Sequence, residues 1–408
     1  MKKYIILAFM AALSLLLAGC AEGDKFDPDK EAILMTGTDA SAILGLTVEQ
    51  AGAAYPLTVS ATGIAENDIR VNLAVSAQAL DEYNTKHGTS YAAVPATAVS
   101  MDSTFVVIRK GTATSRANNI TINDISFFED GVTYAIPVTI TDVEGTSLDV
   151  LENSRTAVIK IRRVINFNAL DISDSNISSN YIFPDDKAIE LSQYTYQIKF
   201  YATNLKSAAG QICRLCAWEG KDESKANMLR FNENGYEHRT LQLVSPAGNI
   251  VSNTKFDENK WYNLSLVYDG SSMTMYVDGV PEEKKGTGDG TTTFQRFELG
   301  MSWGGGYPSS QLFYGRICEI RVWDRALSTS ELKSGFCGVP KDSKGLRAYW
   351  KLGEGEGHIF HDATGNGYDM DWSDTWRDSN ESGNLTHYDK SSVAEGRWVF
   401  DQINKCSD

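Results

Sequence analysis

Residues 261–280 read WYNLSLVYDGSSMTMYVDGV, and the rest of the chain is parsed around them. Tyr262, Leu264, Leu266 and Tyr268 alternate with Asn263, Ser265 and Val267, so an extended chain here turns one largely apolar face to a core. Asp269-Gly270-Ser271-Ser272 supplies turn chemistry, Met273, Met275 and Val277 resume the alternation, and Asp278-Gly279 closes the second strand. Two period-two runs about a short polar loop predict a β-hairpin. The same alternation places Tyr194, Tyr196, Ile198 and Phe200 on one face of a strand, Cys318, Ile320 and Val322 on another, and Leu346, Ala348, Trp350 and Leu352 on a third. Ser328-x-x-Glu331 predicts a capping box that opens a short helix, and the Asp362–Gly367 cluster predicts a tight turn.

Upstream, Val71, Leu73 and Val75 alternate, Phe105–Ile108 is a short β-rich run, and Tyr134, Ile136, Val138 and Ile140 alternate again before Ala157–Val164. One helix is predicted over Gln78–His87, ending at Gly88. Short strands separated by turn signals predict an antiparallel sandwich. A length of 408 residues implies two domains, and 22% charged with 42% apolar residues is ordinary globular composition. The expected fold class is all-β, with two antiparallel β-sandwich domains at residues 34–164 and 165–378. A leader (1–20) and a polar linker (21–33) precede them, and a tail (379–408) follows.

Lys2 and Lys3 precede the apolar run Tyr4–Leu17, which is too short for a permanent membrane helix. Leu17-Ala18-Gly19-Cys20 resembles a bacterial lipobox, in which Cys20 becomes the lipidated first residue. Glu22, Asp24 and Asp27 follow, similar to the export tag of Bacteroidota-type surface lipoproteins. The expected location is the outer membrane, held by lipid and facing the exterior. A net charge of −15 excludes nucleic acid as a partner and favours neutral over acidic glycans. Cys213, Cys216, Cys318, Cys337 and Cys406 are an odd set, read as buried thiols with room for one disulfide. Cys213 and Cys216, three apart on a strand, are expected on opposite faces.

With Lys260 before it, the hairpin resembles the central hairpin of concanavalin A-like, laminin-G-type sandwiches. FYGRICEIRVWDRALSTSEL (Phe313–Leu332) and LRAYWKLGEGEGHIFHDATGNGYDM (Leu346–Met370) fit the same family in the same order. The resemblance implies a two-sheet jelly roll with Trp261, Trp323 and Trp350 at core positions. LDEYNTKHGTSYAAVPA (Leu80–Ala96) and TYAIPVTITDVEG (Thr133–Gly145) resemble an N-terminal module of surface lipoproteins in bacterial glycan-utilisation systems, a module that also precedes some family 18 endoglycosidases. The two resemblances together imply a carbohydrate-binding lipoprotein. It would capture oligo- or polysaccharide for a partner transporter or glycosidase, with the first domain as spacer.

A hydrolase on this fold needs paired carboxylates across a groove. No Glu-x-Asp-x-(x)-Glu run occurs, so no catalytic residue is assigned. A glycosidase with an atypical carboxylate pair is one rival reading, and an interaction subunit of a transport complex is the other. Sugar binding uses exposed rings flanked by polar groups. Trp303 and Tyr307 lie in the Gly-rich Ser302–Pro308, Trp218 heads a polar run, and Trp372 and Trp376 bracket Asp374 with Arg377 next. His358 and His361 lack helical zinc spacing. The one cofactor admitted is calcium, through the hard oxygens of Asp362, Asn366 and Asp269.

Overall fold

The computed structural model describes residues 31–173, 179–208, 211–222, 224–233, 235–301, 311–371, 376–378, 385–387 and 398–407. They form two compact units, one of residues up to 127 with 133–162, the other of 128–132 with the residues from 163 onward.

The first unit holds β1 (Ile69–Val75), α1 (Ala77–His87), β2 (Phe105–Ile108), β3 (Tyr134–Glu144) and the first part of β4 (Thr156–Asp171). The sheet runs β4-β3-β1-β2 with each of these pairs antiparallel, and Ala92–Ala93 adds a short parallel pairing to β3. Alternation buries Val71 and Leu73 from β1, Val106 and Ile108 from β2, and Ile159 and Ile161 from β4. Ala54–Leu57, Asn118–Ile122 and Val99–Met101 make a second sheet and bury Leu57, Ile120 and Ile122. Helix α1 is capped at both ends: Ser76 Oγ accepts from Ala79 N (3.2 Å), and Gly88 takes the left-handed conformation at φ 64°.

The second unit continues with β5 (Ser179–Ile182), β6 (Tyr194–Asn204), β7 (Cys213–Glu219), β8 (Asn227–Phe231) and β9 (Thr240–Val244). Next come β10 (Ile250–Lys255), β11 (Trp261–Tyr268), β12 (Met273–Val277), β13 (Val280–Gly286) and β14 (Arg296–Leu299). Then follow β15 (Tyr314–Trp323), α2 (Thr329–Ser334), β16 (Leu346–Trp350), β17 (Trp376–Asp378) and β18 (Trp398–Ser407). One sheet runs β5-β14-β7-β8-β9-β10. The other runs β13-β12-β11-β6-β15, with β16 beyond β15.

The hairpin that decides the fold is β11–β12. Leu264 faces Val277, Leu266 faces Met275 and Tyr268 faces Met273, and all six side chains are buried. Asp269 closes its turn: Oδ1 accepts from the Ser271 and Ser272 amides (2.9 and 2.8 Å), which with the Ser271 hydroxyl hold the carboxyl down to about 2. After Val277 the chain reverses through Asp278 and Gly279 at φ 49° and 71°, a pair of positive values that suits a two-residue hairpin. Between the sheets lies an aromatic core in which Phe297 stacks on Trp350 with centroids 5.6 Å apart. Burying one such large side chain contributes about 1.5–3 kcal/mol. Trp323 and Trp350 are buried and Trp261 half-buried against Tyr201.

The cysteines settle differently from the sequence expectation at one point. A bulge after Arg214 shifts the register of β7 on β8, so Cys213, Leu215, Cys216 and Trp218 all face the core. Burial pushes the Cys213 and Cys216 thiols up to about 12, leaving them inert. Cys337 and Cys406 form a disulfide that ties β18 to the sandwich, where it pairs with Val164–Leu170 of β4.

Candidate functional site

The six-stranded sheet is apolar on one face and charged on the other. Along β14, Phe297 and Leu299 point into the core, so Arg296 and Glu298 point away from it. The neighbouring strands match them: Glu219 of β7 stands opposite Arg296, and Asn180 of β5 stands opposite Glu298. Further along, Arg214, Arg230 and Gln242 are cross-strand partners on β7, β8 and β9.

These groups meet. Arg296 Nε donates to Asn180 Oδ1 (3.0 Å) and lies 3.5 Å from Glu219 Oε1, while its Nη2 is 3.6 Å from Glu298 Oε1. Arg230 Nε donates to Gln242 Oε1 (3.2 Å), and its Nη1 is 3.5 Å from Glu233. Arg214 Nε donates to Gln311 Oε1 (3.1 Å). Arg296, Glu219 and Glu298 are at most 1% exposed. A buried charge survives only when partners compensate it, so this face is held in one arrangement by mutual pairing. Just past β6, Lys206 lies over the Tyr314 ring (4.4 Å), and burial holds its ammonium down to about 8.

Of the segments singled out in the sequence, one departs from a strand of this sheet and another runs beside one. The chain leaves β14 at Gly300 and Met301 and rejoins the described residues at Gln311 and Leu312, which hold on to Arg214. Trp303 and Tyr307 belong to the intervening stretch, outside the described residues, as are Trp372, Asp374 and Cys20. Trp376 and Arg377 sit on β17, whose backbone pairs with Leu385–His387 and runs beside β5, the strand that carries Asn180.

Trp218 is a correction. The polar run after it reads as a loop, but Trp218 lies within β7, is 1% exposed and stacks on Tyr196 with centroids 4.2 Å apart. It is core, not a sugar platform. Of the oxygen groups read as calcium ligands, Asp362 and Asn366 share one turn and Asp269 closes another. Asp362 accepts from the amides of Tyr349 (3.0 Å), Thr364 (3.1 Å) and Tyr368 (3.3 Å) and from the Thr364 hydroxyl (2.8 Å). Asn366 Nδ2 donates to Arg347 O, and Asp269 is occupied by its own turn. A carboxylate whose lone pairs already meet donors suits a turn cap better than a hard cation. Among the described residues no group of three or more His, Cys, Asp or Glu side chains is placed to hold a metal ion.

The charged face itself escaped the sequence reading because its members come from five strands. The alternation Arg296-Phe297-Glu298-Leu299 was the available signal. Paired with one another and almost wholly buried, the amide, guanidinium and carboxylate groups fix the strands that carry them rather than reach a ligand.

Residues 174–333 match the family model of the concanavalin A-like lectin/glucanases superfamily, and residues 29–147 match that of an N-terminal domain family. The chain is therefore an N-terminal domain of that type followed by a concanavalin A-like sandwich. A solved structure of a candidate carbohydrate binding protein from Bacteroides ovatus is similar at TM-score 0.62 and 22% identity, covering 82% of this chain and 94% of that one. At that identity the likeness establishes the fold. A heptameric pentraxin of Limulus polyphemus is similar at TM-score 0.32 and 14% identity, over 55% of this chain and 92% of that one. Serum amyloid P-component of Mesocricetus auratus is 37% identical over 70 residues, 16% of this chain; the chain spans 30% of that relative's length.

Proposed function

We propose that this chain is a non-catalytic, lipid-anchored surface protein that captures neutral oligo- or polysaccharide. The observation that carries the reading is the paired charged face of the six-stranded sheet, whose strand β14 leads into the segment bearing Trp303 and Tyr307 and whose strand β5 runs beside the one bearing Trp376 and Arg377. In this reading the rings and the polar groups beside them meet the sugar, and the buried pairs fix the strands from which those segments depart. The Bacteroides ovatus protein of like fold supports a carbohydrate ligand. Cys20 supplies the anchor at the outer membrane, and the Cys337–Cys406 disulfide suits an oxidising compartment. A glycan-degrading enzyme or a transporter then takes the captured chain.

The test is a glycan array on the full chain, read with and without calcium, followed by titration of the retained glycan against Trp303→Ala. Binding that disappears in the variant while the melting temperature holds supports the reading. An empty array, or a variant that binds as well as wild type, ends it.

A hydrolase is the second reading, favoured by two carboxylates on adjacent strands. Hydrolysis needs one of them to carry a proton to the leaving group, whereas Glu219 and Glu298 both face the Arg296 guanidinium. Reducing-sugar release from the glycan that binds would establish hydrolysis.

A further inference from the structure

The first unit carries a cleft of about 540 Å3 along the open side of β2, lined among others by Phe105, Val107, Arg109, Thr114 and Arg116. Among the described residues β2 pairs only with β1, Val106 facing Val71 and Ile108 facing Ile69. Leu73 N donates to Thr104 O (2.8 Å) and Lys110 N to Asp68 Oδ1 (2.8 Å), so the even-numbered residues of this run turn their backbone groups to β1. Phe105 and Val107 turn theirs the other way, toward the cleft. The Phe105 amide is met locally by Ser103 Oγ (3.2 Å), which leaves the Val107 N–H and C=O presented at the edge.

The far wall explains why the cleft exists. After the Arg109–Thr112 turn the chain doubles back without pairing to β2. Ala61 N donates to Ala113 O (2.8 Å), Ser115 N donates to Val59 O (2.9 Å) and Thr114 bridges Ser60, so the returning arm joins the strand Val59–Ala61 instead. The two arms diverge, and the space between them borders one strand edge. An extended chain laid in that space would run beside the strand edge. The cleft's cationic groups are unequal: Arg109 is paired with Asp68 (2.6 Å), whereas Arg116 is exposed and makes no ion pair among the described residues.

We propose that this cleft binds an extended segment of a partner polypeptide, carrying an acidic side chain, as an added strand on β2. Main-chain hydrogen bonds to Val107 would give affinity, and Arg116 would select the acidic residue. The four residues of β2 set the length of the paired stretch.

The test pans a random heptapeptide phage library on the full chain and synthesises the enriched peptides. Enrichment of β-branched residues in alternation with an Asp or Glu is expected. Val107→Pro deletes the edge N–H at a position where an edge strand tolerates proline, and should weaken binding roughly tenfold, the equivalent of one lost hydrogen bond. Arg116→Glu should weaken it similarly. N-methylation of alternate peptide amides should abolish binding in one phase and leave it intact in the other. Should Val107→Pro fail to fold, Arg116→Glu and the methylated peptides still decide the matter. An unenriched library overturns the proposal, as does binding indifferent to N-methylation and to Arg116→Glu. So would a cleft that retains glycan rather than peptide, seen as array binding lost in Arg116→Glu.

Discussion

Both sheets of the second unit turn buried charge away from the core, and they are closed in different ways. On the sheet with β15, Arg321 pairs with Glu319, and Tyr349 Oη donates to the same carboxylate. Arg321 Nη1 donates to Gly335 O (2.8 Å) just past α2, and Trp323 Nε1 donates to Gln197 Oε1 (2.9 Å). Leu327 and Leu332 of the α2 segment pack with Trp323 and Tyr349 over this network. On the other sheet, Arg296 and Arg214 reach strand neighbours and the end of the segment that carries Trp303. Buried charge alone therefore does not mark a ligand site. One network fastens a helix, and the other holds the strand from which a segment proposed to meet sugar departs.

Arg321→Met should break that comparison most sharply. It strands Glu319 without its cation, and removing one partner of a buried pair typically costs ~3–5 kcal/mol. Chemical denaturation should show that loss while the affinity for glycan stays at the wild-type value; a matching loss of affinity would mean the two faces are not separate. The double change Cys337→Ala with Cys406→Ala should come next, at ~2–4 kcal/mol. Dithiothreitol should lower the wild-type melting temperature and leave that of the double variant unmoved.

Trp303→Ala should reverse the pattern of Arg321→Met, with ~2 kcal/mol or more lost from binding and little from stability. Ser328→Ala removes the oxygen that accepts from Glu331 N (3.3 Å) in the capping box of α2 and should cost ~1 kcal/mol by urea denaturation. The smallest expected effect is a slope. Burial lowers Lys206 from 10.5 to about 8, so between those values the unfolded chain keeps a proton that the folded chain has released. Stability should thus rise with pH across that window, and below about 8 the full cost of the buried ammonium is present. The difference between wild type and Lys206→Met, followed from pH 7 to 10.5, isolates it; a flat difference would place the amine in water.

What the sequence disclosed was local. The β11–β12 hairpin, the Ser328–Glu331 capping box and the Gly88 stop are each written within a few consecutive residues, where period and turn chemistry act directly. Trp218 was misread because the polar Glu219–Asp222 run suggested a loop, whereas pairing with β8 and β14 extends the strand through Glu219 and carries the ring into the core. The bulge that brings Cys213 and Cys216 to one face is likewise a property of two strands in register. The charged face needed still more: Asn180, Glu219 and Glu298 lie far apart in sequence, and only the strand order places them around Arg296.

The link between Cys337 and Cys406 has a consequence for wear as well as for folding. It encloses 69 positions of separation, a span that includes Trp372, Asp374, Trp376 and Arg377. A protease that severs the backbone once within that span leaves both pieces covalently attached, so the nicked protein travels as one band on a gel until thiol is added. Held at the cell surface as proposed, the protein could be cut by secreted hydrolases without shedding the cut portion.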